Sequence, residues 1–212
     1  MEKTTSDAIA FRRSVRLCKN VDINSEKVKE CIRNASIAPT SSNLQLWEFH
    51  HIISKDKIAK ISLACFNQSA AKSAQQMVVF VSRKDLWKNR ANANLKFLNK
   101  QFDKPNLSSQ QLKRKKQVNN YYKKVIPSIY TDLFGILGLI KFVVFHVIGW
   151  FRPIYRQSRL SDMRIVTHKS TALAAQNFMI SMAAIGYDTC PMEGFDSKRV
   201  KQILNLPNSA EI

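Results

Sequence analysis

The sequence has 212 residues, of which 45% are hydrophobic, so it can bury one sizeable core but is too short for two independent cores. Five glycines and six prolines exclude a collagen-like or flexible low-complexity chain. The formal net charge is +19, and residues 83–169 hold 19 Lys and Arg residues against four acids. The basic excess, +15 over this range, therefore belongs to the middle of the chain.

Local patterns in the first part of the chain predict helices that alternate with strands. Helices are predicted at 5–11, at 25–37 with Ser25 as the N-cap, and at 54–65. Strands are predicted at 47–54, where the sequence alternates, and at 77–82, where a continuous apolar run is typical of burial on both faces. This alternation favours an α/β or α+β fold.

The second part of the chain contains one long apolar run and one long helical pattern. The run at 133–151 is interrupted only by Lys141 and His146. Residues 161–189 are rich in Ala and Met, which indicates a buried helix that starts at a Ser161 cap and stops at Gly186.

The N-terminal segment and the cysteines indicate the cellular location of the protein. The N-terminal segment is polar and lacks the apolar core of a secretory signal. The four cysteines form no CxxC pair and have no His at metal-ligand spacing, so we expect reduced thiols, no metal site and a cytoplasmic location.

A basic pentapeptide at 12–16 is the first candidate binding motif. It contains Arg12, Arg13, Ser14 and Arg16. Guanidinium groups match phosphate oxygens two at a time and a serine hydroxyl adds a donor, so the segment can clamp a phosphate. In a protein this basic, an ordinary solvated surface is the alternative.

Two loops are the other candidates. Residues 38–47 carry short hydroxyl and amide side chains that can bind the edge of a flat polar heterocycle, with Trp47 as an anchor in the core. Residues 190–196 contain a proline and a glycine that let the backbone approach a ligand. A capped turn and a plain loop are the respective alternatives.

In their amino-acid sequences and in their order along the chain, the three motifs together resemble those of the nitroreductase family. They read RRSVR, APTSSNLQLWEF and AAQNFMISMAAIGYDTCPMEGFD. The resemblance covers about 1–82 and 161–212. It implies an α+β fold, a three-layer α/β/α sandwich with a central, mostly antiparallel sheet, in a homodimer that holds FMN at the subunit interface.

The resemblance also implies roles for individual residues. Arg12, Arg13, Ser14 and Arg16 look like contacts to the FMN phosphate and ring, and Thr40, Ser41, Asn43 and Gln45 look like the loop that reaches the flavin, often across the interface. Asn67 is similar to an asparagine on the nicotinamide and substrate side. Pro191, Met192, Glu193 and Gly194 look like the loop beside the flavin ring. No catalytic acid or base is expected, and Glu193 is either an orienting residue or an exposed structural glutamate.

The implied activity is NAD(P)H-dependent reduction of a small-molecule electron acceptor, such as a nitroaromatic or a quinone, by a ping-pong cycle. Neither the acceptor nor the choice between NADH and NADPH follows from the sequence. We expect one domain over 1–212 with a basic and apolar insertion at about 83–160. The family's C-terminal strand and arm are expected to be missing, which makes a degenerate, non-catalytic flavin-binding or interaction module an alternative.

The insertion has several interpretations. The run 133–151 forms one or two helices, broken near Gly135, Gly138 or Gly149, that cover the flavin pocket. Alternatively, residues 113–156 lie on an anionic membrane surface, which makes the protein peripheral at the membrane. A spanning helix is disfavoured by the central Lys141. Nucleic-acid binding through KRKK and Tyr121–Tyr122 is a weaker alternative, because no recognition motif accompanies these residues.

Overall fold

Ten α-helices and two β-strands form the regular structure within residues 2–131, 136–157 and 159–212, the part of the chain that this computed structural model describes. The helices are α1 (Thr5–Phe11), α2 (Ser25–Ser36), α3 (Lys55–Ala64), α4 (Ser69–Ser73), α5 (Trp87–Lys100), α6 (Ser109–Asn120), α7 (Ile126–Tyr130), α8 (Ile136–Phe151), α9 (Leu160–Ala184) and α10 (Ser197–Ile203). The strands are β1 (Trp47–Ile52) and β2 (Met77–Ser82). The predicted α+β class is confirmed.

The chain divides into two compact units. The first comprises Met1–Pro39, Trp47–Arg83 and Ser170–Ile212, and the second comprises Thr40–Leu46 and Lys84–Lys169. Helix α9 begins in the second unit and continues in the first.

The first unit is built on an antiparallel pair of strands, with Trp47 opposite Ser82 and Ile52 opposite Met77. Neighbouring residues of β2 point to opposite faces of the strand pair. Helices cover both of these faces, as predicted for 77–82. Val78 and Phe80 pack with α2 and α9, whereas Met77 and Val79 pack with α3. Near the end of the chain, Glu211 extends the ladder by an antiparallel bridge to Ser82.

Two predicted helix caps are wrong. Asn24, rather than Ser25, caps α2, because the Asn24 carboxamide oxygen accepts the backbone N–H groups of Glu26 and Lys27. Helix α9 starts at Leu160, so Ser161 lies inside its first turn. At the start of this helix, a carboxylate oxygen of Asp162 accepts the backbone N–H of Arg159 at 3.0 Å.

The predicted stop of α9 at Gly186 is confirmed. Gly186 has a φ of +83°, a left-handed conformation that glycine adopts without a steric cost. The next N–H, from Tyr187, then donates to the carbonyl of Met182 at 2.9 Å. The turn directs the chain from α9 into the 187–194 loop.

In the second unit, α6 and α7 are joined by a π-helical turn at Tyr121–Val125. Ser108 and Gln111 form a reciprocal capping box that starts α6. Pro127, at the start of α7, has no backbone N–H to donate to the preceding turn, which favours the irregular geometry there. Ile126 and Tyr130 are buried with Leu44, Leu46, Ala91 and Met163 in the core of this unit.

The apolar run at 133–151 forms α8 from Ile136 onwards, and its first three residues, including Gly135, lie outside the described residues. Of the three alternative positions for a break, Gly138 and Gly149 are excluded, because α8 continues through both. Glycine lowers helix propensity but keeps its N–H donor. At Gly149, moreover, the Arg156 guanidinium lies where a Cβ would be and donates to the Gly149 carbonyl at 2.6 Å. In the described ranges, no helix has the length and apolar character needed to cross a membrane.

The four cysteines are free thiols. Cys31 and Cys65 are buried, whereas Cys18 and Cys190 are half-buried. Burial raises the pKa of the Cys31 thiol to about 11, and it also raises the pKa of Cys65.

Candidate functional site

The basic segment at 12–16 follows directly after α1. Arg13 donates to the carbonyls of Ala10 and Arg12, which holds its guanidinium against the end of the helix. The guanidinium groups of Arg12 and Arg16 have no protein partner among the described residues. Two cations that no carboxylate neutralises are therefore available to an anionic ligand.

Ser14 pairs with Thr189 in a parallel bridge, and the backbone N–H of Val15 donates to the Thr189 carbonyl at 3.3 Å. The Thr189 hydroxyl is buried without a hydrogen-bond partner in the described structure. The pairing places the basic segment beside the start of the 190–194 loop, which lies near the other end of the sequence. Two of the three motifs thus meet in the first unit.

Asn67 and the 191–194 loop also come together in the first unit. Asn67 has a φ of +53°, which asparagine tolerates better than most residues, and its N–H donates to Ser62 at 2.9 Å. The neighbouring Gln68 donates from Nε2 to the Gly194 carbonyl at 2.5 Å. Pro191, Glu193 and Gly194 are exposed, and Met192 is half-buried.

The loop at 40–46 belongs to the second unit and has an unusual backbone. Ser42, Asn43 and Gln45 all have φ between +49° and +56°, in the left-handed region. Non-glycine residues in this region cost free energy, and such strain is concentrated at functional sites. Hydrogen bonds within the loop hold this conformation: Gln45 N–H donates to the Thr40 hydroxyl, and the Gln45 side chain donates to Asn43. Ser41 is exposed in this loop.

Three side chains outside the predicted cofactor-binding residues support this loop. The hydroxyls of Tyr121 and Ser42 are 2.7 Å apart, and the Tyr122 hydroxyl donates to the Ser42 carbonyl at 3.1 Å. Asn94 donates to the Asn43 carbonyl at 2.7 Å. In the sequence, Tyr121 and Tyr122 are recognisable only as aromatic residues in a basic stretch, because no local pattern indicates a contact with a residue so distant along the chain.

A pocket of about 230 Å³ lies beside the same loop. Each residue that lines it carries either a hydroxyl group or an apolar side chain. These residues are Ser41, Ser42, Tyr121, Ile129, Tyr130, Tyr155 and Met163. Burial raises the pKa of Tyr130 to about 12 and also raises the pKa of Tyr155. Both phenols are therefore hydrogen-bond donors at neutral pH.

The sequence and the fold are those of a class of flavin-dependent oxidoreductases. The family model described as "Nitroreductase family" matches residues 9–212, so the chain belongs to the nitroreductase family. Members of this family are FMN-dependent enzymes that use NAD(P)H.

Individual relatives share the fold at low identity. Protein DrgA of Synechocystis is 26% identical over 207 residues, which cover 96% of this chain and 77% of the relative. A solved structure from Bacillus subtilis, described as a candidate nitroreductase, superposes with a TM-score of 0.69 at 22% sequence identity. The match covers 98% of this chain and 83% of the Bacillus subtilis chain. A structure from Staphylococcus epidermidis, described as a candidate NAD(P)H:FMN oxidoreductase, has a TM-score of 0.66 at 18% identity over 98% and 82% of the two chains.

The residues of the first unit fit an FMN phosphate. The fit rests on the two unpaired guanidinium groups, the exposed Ser14 hydroxyl and the buried, unpartnered Thr189 hydroxyl. Buried polar atoms are rarely left without a partner unless a ligand or water supplies one. This donor set matches the chemistry of a phosphate monoester.

Proposed function

We propose that this protein is an FMN-dependent oxidoreductase that takes hydride from NADH or NADPH and reduces a small-molecule acceptor such as a nitroaromatic or a quinone. The observation that supports it most directly is the pair of unpaired guanidinium groups of Arg12 and Arg16 in a chain matched by its family model from 9 to 212. The reaction follows a ping-pong order: NAD(P)H loses a hydride and leaves, and the acceptor then takes two electrons together with protons from solvent.

Bound FMN supplies the redox chemistry by holding the electron pair between the two half-reactions. Arg12 and Arg16 bind its phosphate, and Arg13 and Ser14 contribute to the same site. The positive charge of this segment would also stabilise the negative charge that reduction adds to a bound flavin. No side chain of the chain is required as a proton donor in this scheme.

The loops orient the ring. In this proposal Thr40, Ser41, Asn43 and Gln45 contact the flavin from one copy of the chain, and Pro191, Met192 and Gly194 line the reactive edge of the ring. Asn67 faces the nicotinamide or acceptor side. Glu193, which is exposed, orients water or nicotinamide.

We further propose a homodimer with FMN between its subunits, and a three-layer sandwich as the fold of one domain over 1–212. The packing of helices on both faces of the β1–β2 pair supports the layered arrangement. Residues 83–160 are an insertion in this domain. The cytoplasmic location inferred from the sequence stays a prediction.

A second candidate role, contact with an anionic membrane surface through 113–156, has one observation in its favour. Helix α8 exposes several large apolar side chains in a region of net positive charge, namely Leu139, Ile140, Val143, Val144, Val147, Trp150 and Phe151. Burial of apolar side chains in the membrane interface, together with attraction between basic residues and anionic lipids, stabilises peripheral binding to a membrane. Sedimentation with phosphatidylserine vesicles that weakens as salt rises is expected, and an absence of binding at low salt would exclude this role.

The enzyme proposal is tested by the visible absorption spectrum of the purified protein. Flavin bands near roughly 370 and 450 nm are expected, and anaerobic addition of NADH or NADPH should bleach them. Added FMN should restore the bands to protein purified without it. A protein that neither carries FMN nor takes it up would overturn the proposal in favour of a degenerate, non-catalytic module.

A further inference from the structure

The loop at 40–46 is packed into the same compact unit as most of the insertion. Leu44 and Leu46 are 1% and 4% exposed and lie in the core of that unit. Asn43 and Gln45, which alternate with these leucines, are exposed. The two leucines therefore anchor the loop, and its polar side chains stay at the surface, where a ligand can reach them.

This loop has a backbone that is costly to hold. Ser42, Asn43 and Gln45 have φ values of 56°, 51° and 49°, and each residue carries a Cβ that disfavours the left-handed region. The two hydrogen bonds that side chains of the loop make within it are exposed and, at 3.2 and 3.3 Å, at the long end of the usual range. Such a backbone persists when the surrounding structure holds it, so contacts from outside the loop are needed.

The insertion supplies three such contacts. The hydroxyls of Tyr121 and Ser42 are 2.7 Å apart, and the Tyr122 hydroxyl donates to the Ser42 carbonyl at 3.1 Å. The Asn94 carboxamide donates to the Asn43 carbonyl at 2.7 Å. Two successive left-handed residues are thus held by their carbonyl groups, and all three supporting side chains come from the insertion.

The two tyrosines are neighbours in the sequence, yet both reach Ser42. In a regular α-helix, adjacent side chains do not lie on the same face. Here the π-helical turn Tyr121–Val125 begins at the first tyrosine, and the two rings lie edge to face with their centroids 5.3 Å apart. Single π turns occur frequently at functional sites. The irregular turn therefore supports a functional role for the contact between the insertion and the loop.

We propose that Asn94, Tyr121 and Tyr122 are positioning residues that hold the 40–46 loop in the conformation that binds the flavin, so that the insertion preorganises the cofactor site. The inference rests on the proposed function for the role of the loop as a flavin contact. The three side chains act through Ser42 and Asn43 and do not bind the cofactor themselves.

The expected effect on affinity follows from the population of the loop conformation. When only a fraction of the protein is competent to bind, the apparent affinity falls by that fraction. Removal of a supporting hydrogen bond lets the left-handed residues relax, which lowers the competent fraction. FMN binding should therefore weaken although no side chain assigned to the cofactor has been changed.

The first test measures the dissociation constant of FMN for the full chain by quenching of flavin fluorescence. Asn94→Ala and Tyr121→Phe should each raise this constant about two- to tenfold, the effect of one neutral hydrogen bond. Asn119→Ala is the matched control, because Asn119 is another helical asparagine of the insertion. Its carboxamide donates to the Asn99 side chain and the Lys115 carbonyl, outside the loop. The control should lower the free energy of unfolding to a similar extent and leave FMN affinity unchanged.

A pair of substitutions at Ser42 tests whether loop conformation limits binding. Ser42→Ala and Ser42→Gly both remove the hydroxyl that pairs with Tyr121, and Ser42 is not assigned as a flavin contact. Glycine adopts the left-handed region without a steric cost, whereas alanine does not. Ser42→Gly should therefore bind FMN more tightly than Ser42→Ala. Equal affinities would contradict the positioning role.

Hydrogen exchange of the FMN-free protein reports on the loop without the cofactor. The backbone N–H groups of Asn43, Leu44 and Gln45 donate within the loop, so their exchange rates follow its opening. Exchange should be faster in Asn94→Ala and Tyr121→Phe than in the native protein, and unchanged in Asn119→Ala.

Three results would overturn the inference: unchanged FMN affinity in both loop-contact variants, an equal loss of affinity in Asn119→Ala, or loop exchange that neither variant accelerates. The native protein separates these results from a failure of the proposed function. If it binds FMN and the variants behave like it, only the positioning role is contradicted. If it does not bind FMN, the proposed function is contradicted, and with it the role of the loop as a flavin contact.

Discussion

The backbone of Ser14 is paired with that of Thr189, although the two residues lie near opposite ends of the sequence. This short parallel contact joins the basic segment to the end of the turn that leaves α9. Because the Thr189 hydroxyl is buried without a partner, the contact brings an unused polar atom next to a segment with two unpaired guanidinium groups. The first prediction follows from that charge.

Arg12→Gln and Arg16→Gln should each raise the dissociation constant of FMN at least tenfold. Hydrogen bonds to charged groups contribute about 1.5–3 kcal/mol, which corresponds to a factor of roughly ten to a hundred. Quenching of flavin fluorescence measures the constant. Lys19→Gln removes an exposed cation from the same stretch of chain and is the matched control. An equal loss in that control would show that net charge, rather than a specific phosphate contact, governs affinity.

Tyr122→Phe should lower the free energy of unfolding by about 1 kcal/mol, because the Ser42 carbonyl loses its donor. The ring is kept, so packing is unchanged. Urea denaturation measures the difference. Tyr187→Phe removes a hydroxyl that accepts only a long, exposed bond of 3.4 Å from the Asn24 N–H, and it should have a smaller effect. A Tyr122 variant as stable as the native protein would contradict the supporting role of this contact.

Gly186→Ala should destabilise the protein by about 1–2 kcal/mol, the cost of a left-handed backbone for a residue with a Cβ. A Cβ at this position would approach only the Lys3 ammonium, at 3.7 Å, so no clash occurs. The cost therefore comes from the φ of +83°, which side chains rarely adopt. Thermal denaturation should rank Gly186→Asn between the native protein and the alanine variant, since asparagine tolerates this region. The opposite ranking of the two variants would argue against backbone strain as the cause.

Stability should fall as the pH rises from about 9 towards 11, in part because of Cys31. Burial raises the pKa of this thiol from an ordinary value of 9.0 to about 11, so the unfolded chain loses the proton first. The stabilisation is complete below pH 9 and is lost as the pH passes through the folded pKa. Denaturation midpoints across this range should decline less steeply for Cys31→Ala than for the native protein. Parallel slopes would contradict burial as the cause.

Elements with strong local signals could be predicted from the order of the amino acids. The apolar run at 77–82 predicted a strand covered on both faces, and the glycine after α9 predicted where that helix stops, because these features depend on neighbours a few residues away. The predicted burial of α9 holds for only part of its surface, since Ile165 is 50% and Leu173 is 48% exposed. The family motifs also identified the three segments of the candidate site. The Asn24 cap and the start of α9 at Leu160 were missed, since several polar residues compete at each helix start.

Which distant residues come into contact depends on tertiary packing. Contacts such as Ser14 with Thr189, Gln68 with Gly194 and Tyr122 with Ser42 join residues that are far apart in the sequence, and no local periodicity encodes them. The left-handed backbone of Ser42, Asn43 and Gln45 is likewise supported by side chains from other parts of the sequence, and the pocket beside this loop forms only where those parts pack together. Interactions between residues close in the sequence therefore specify the helices and strands, whereas tertiary packing specifies the space in which a ligand can bind.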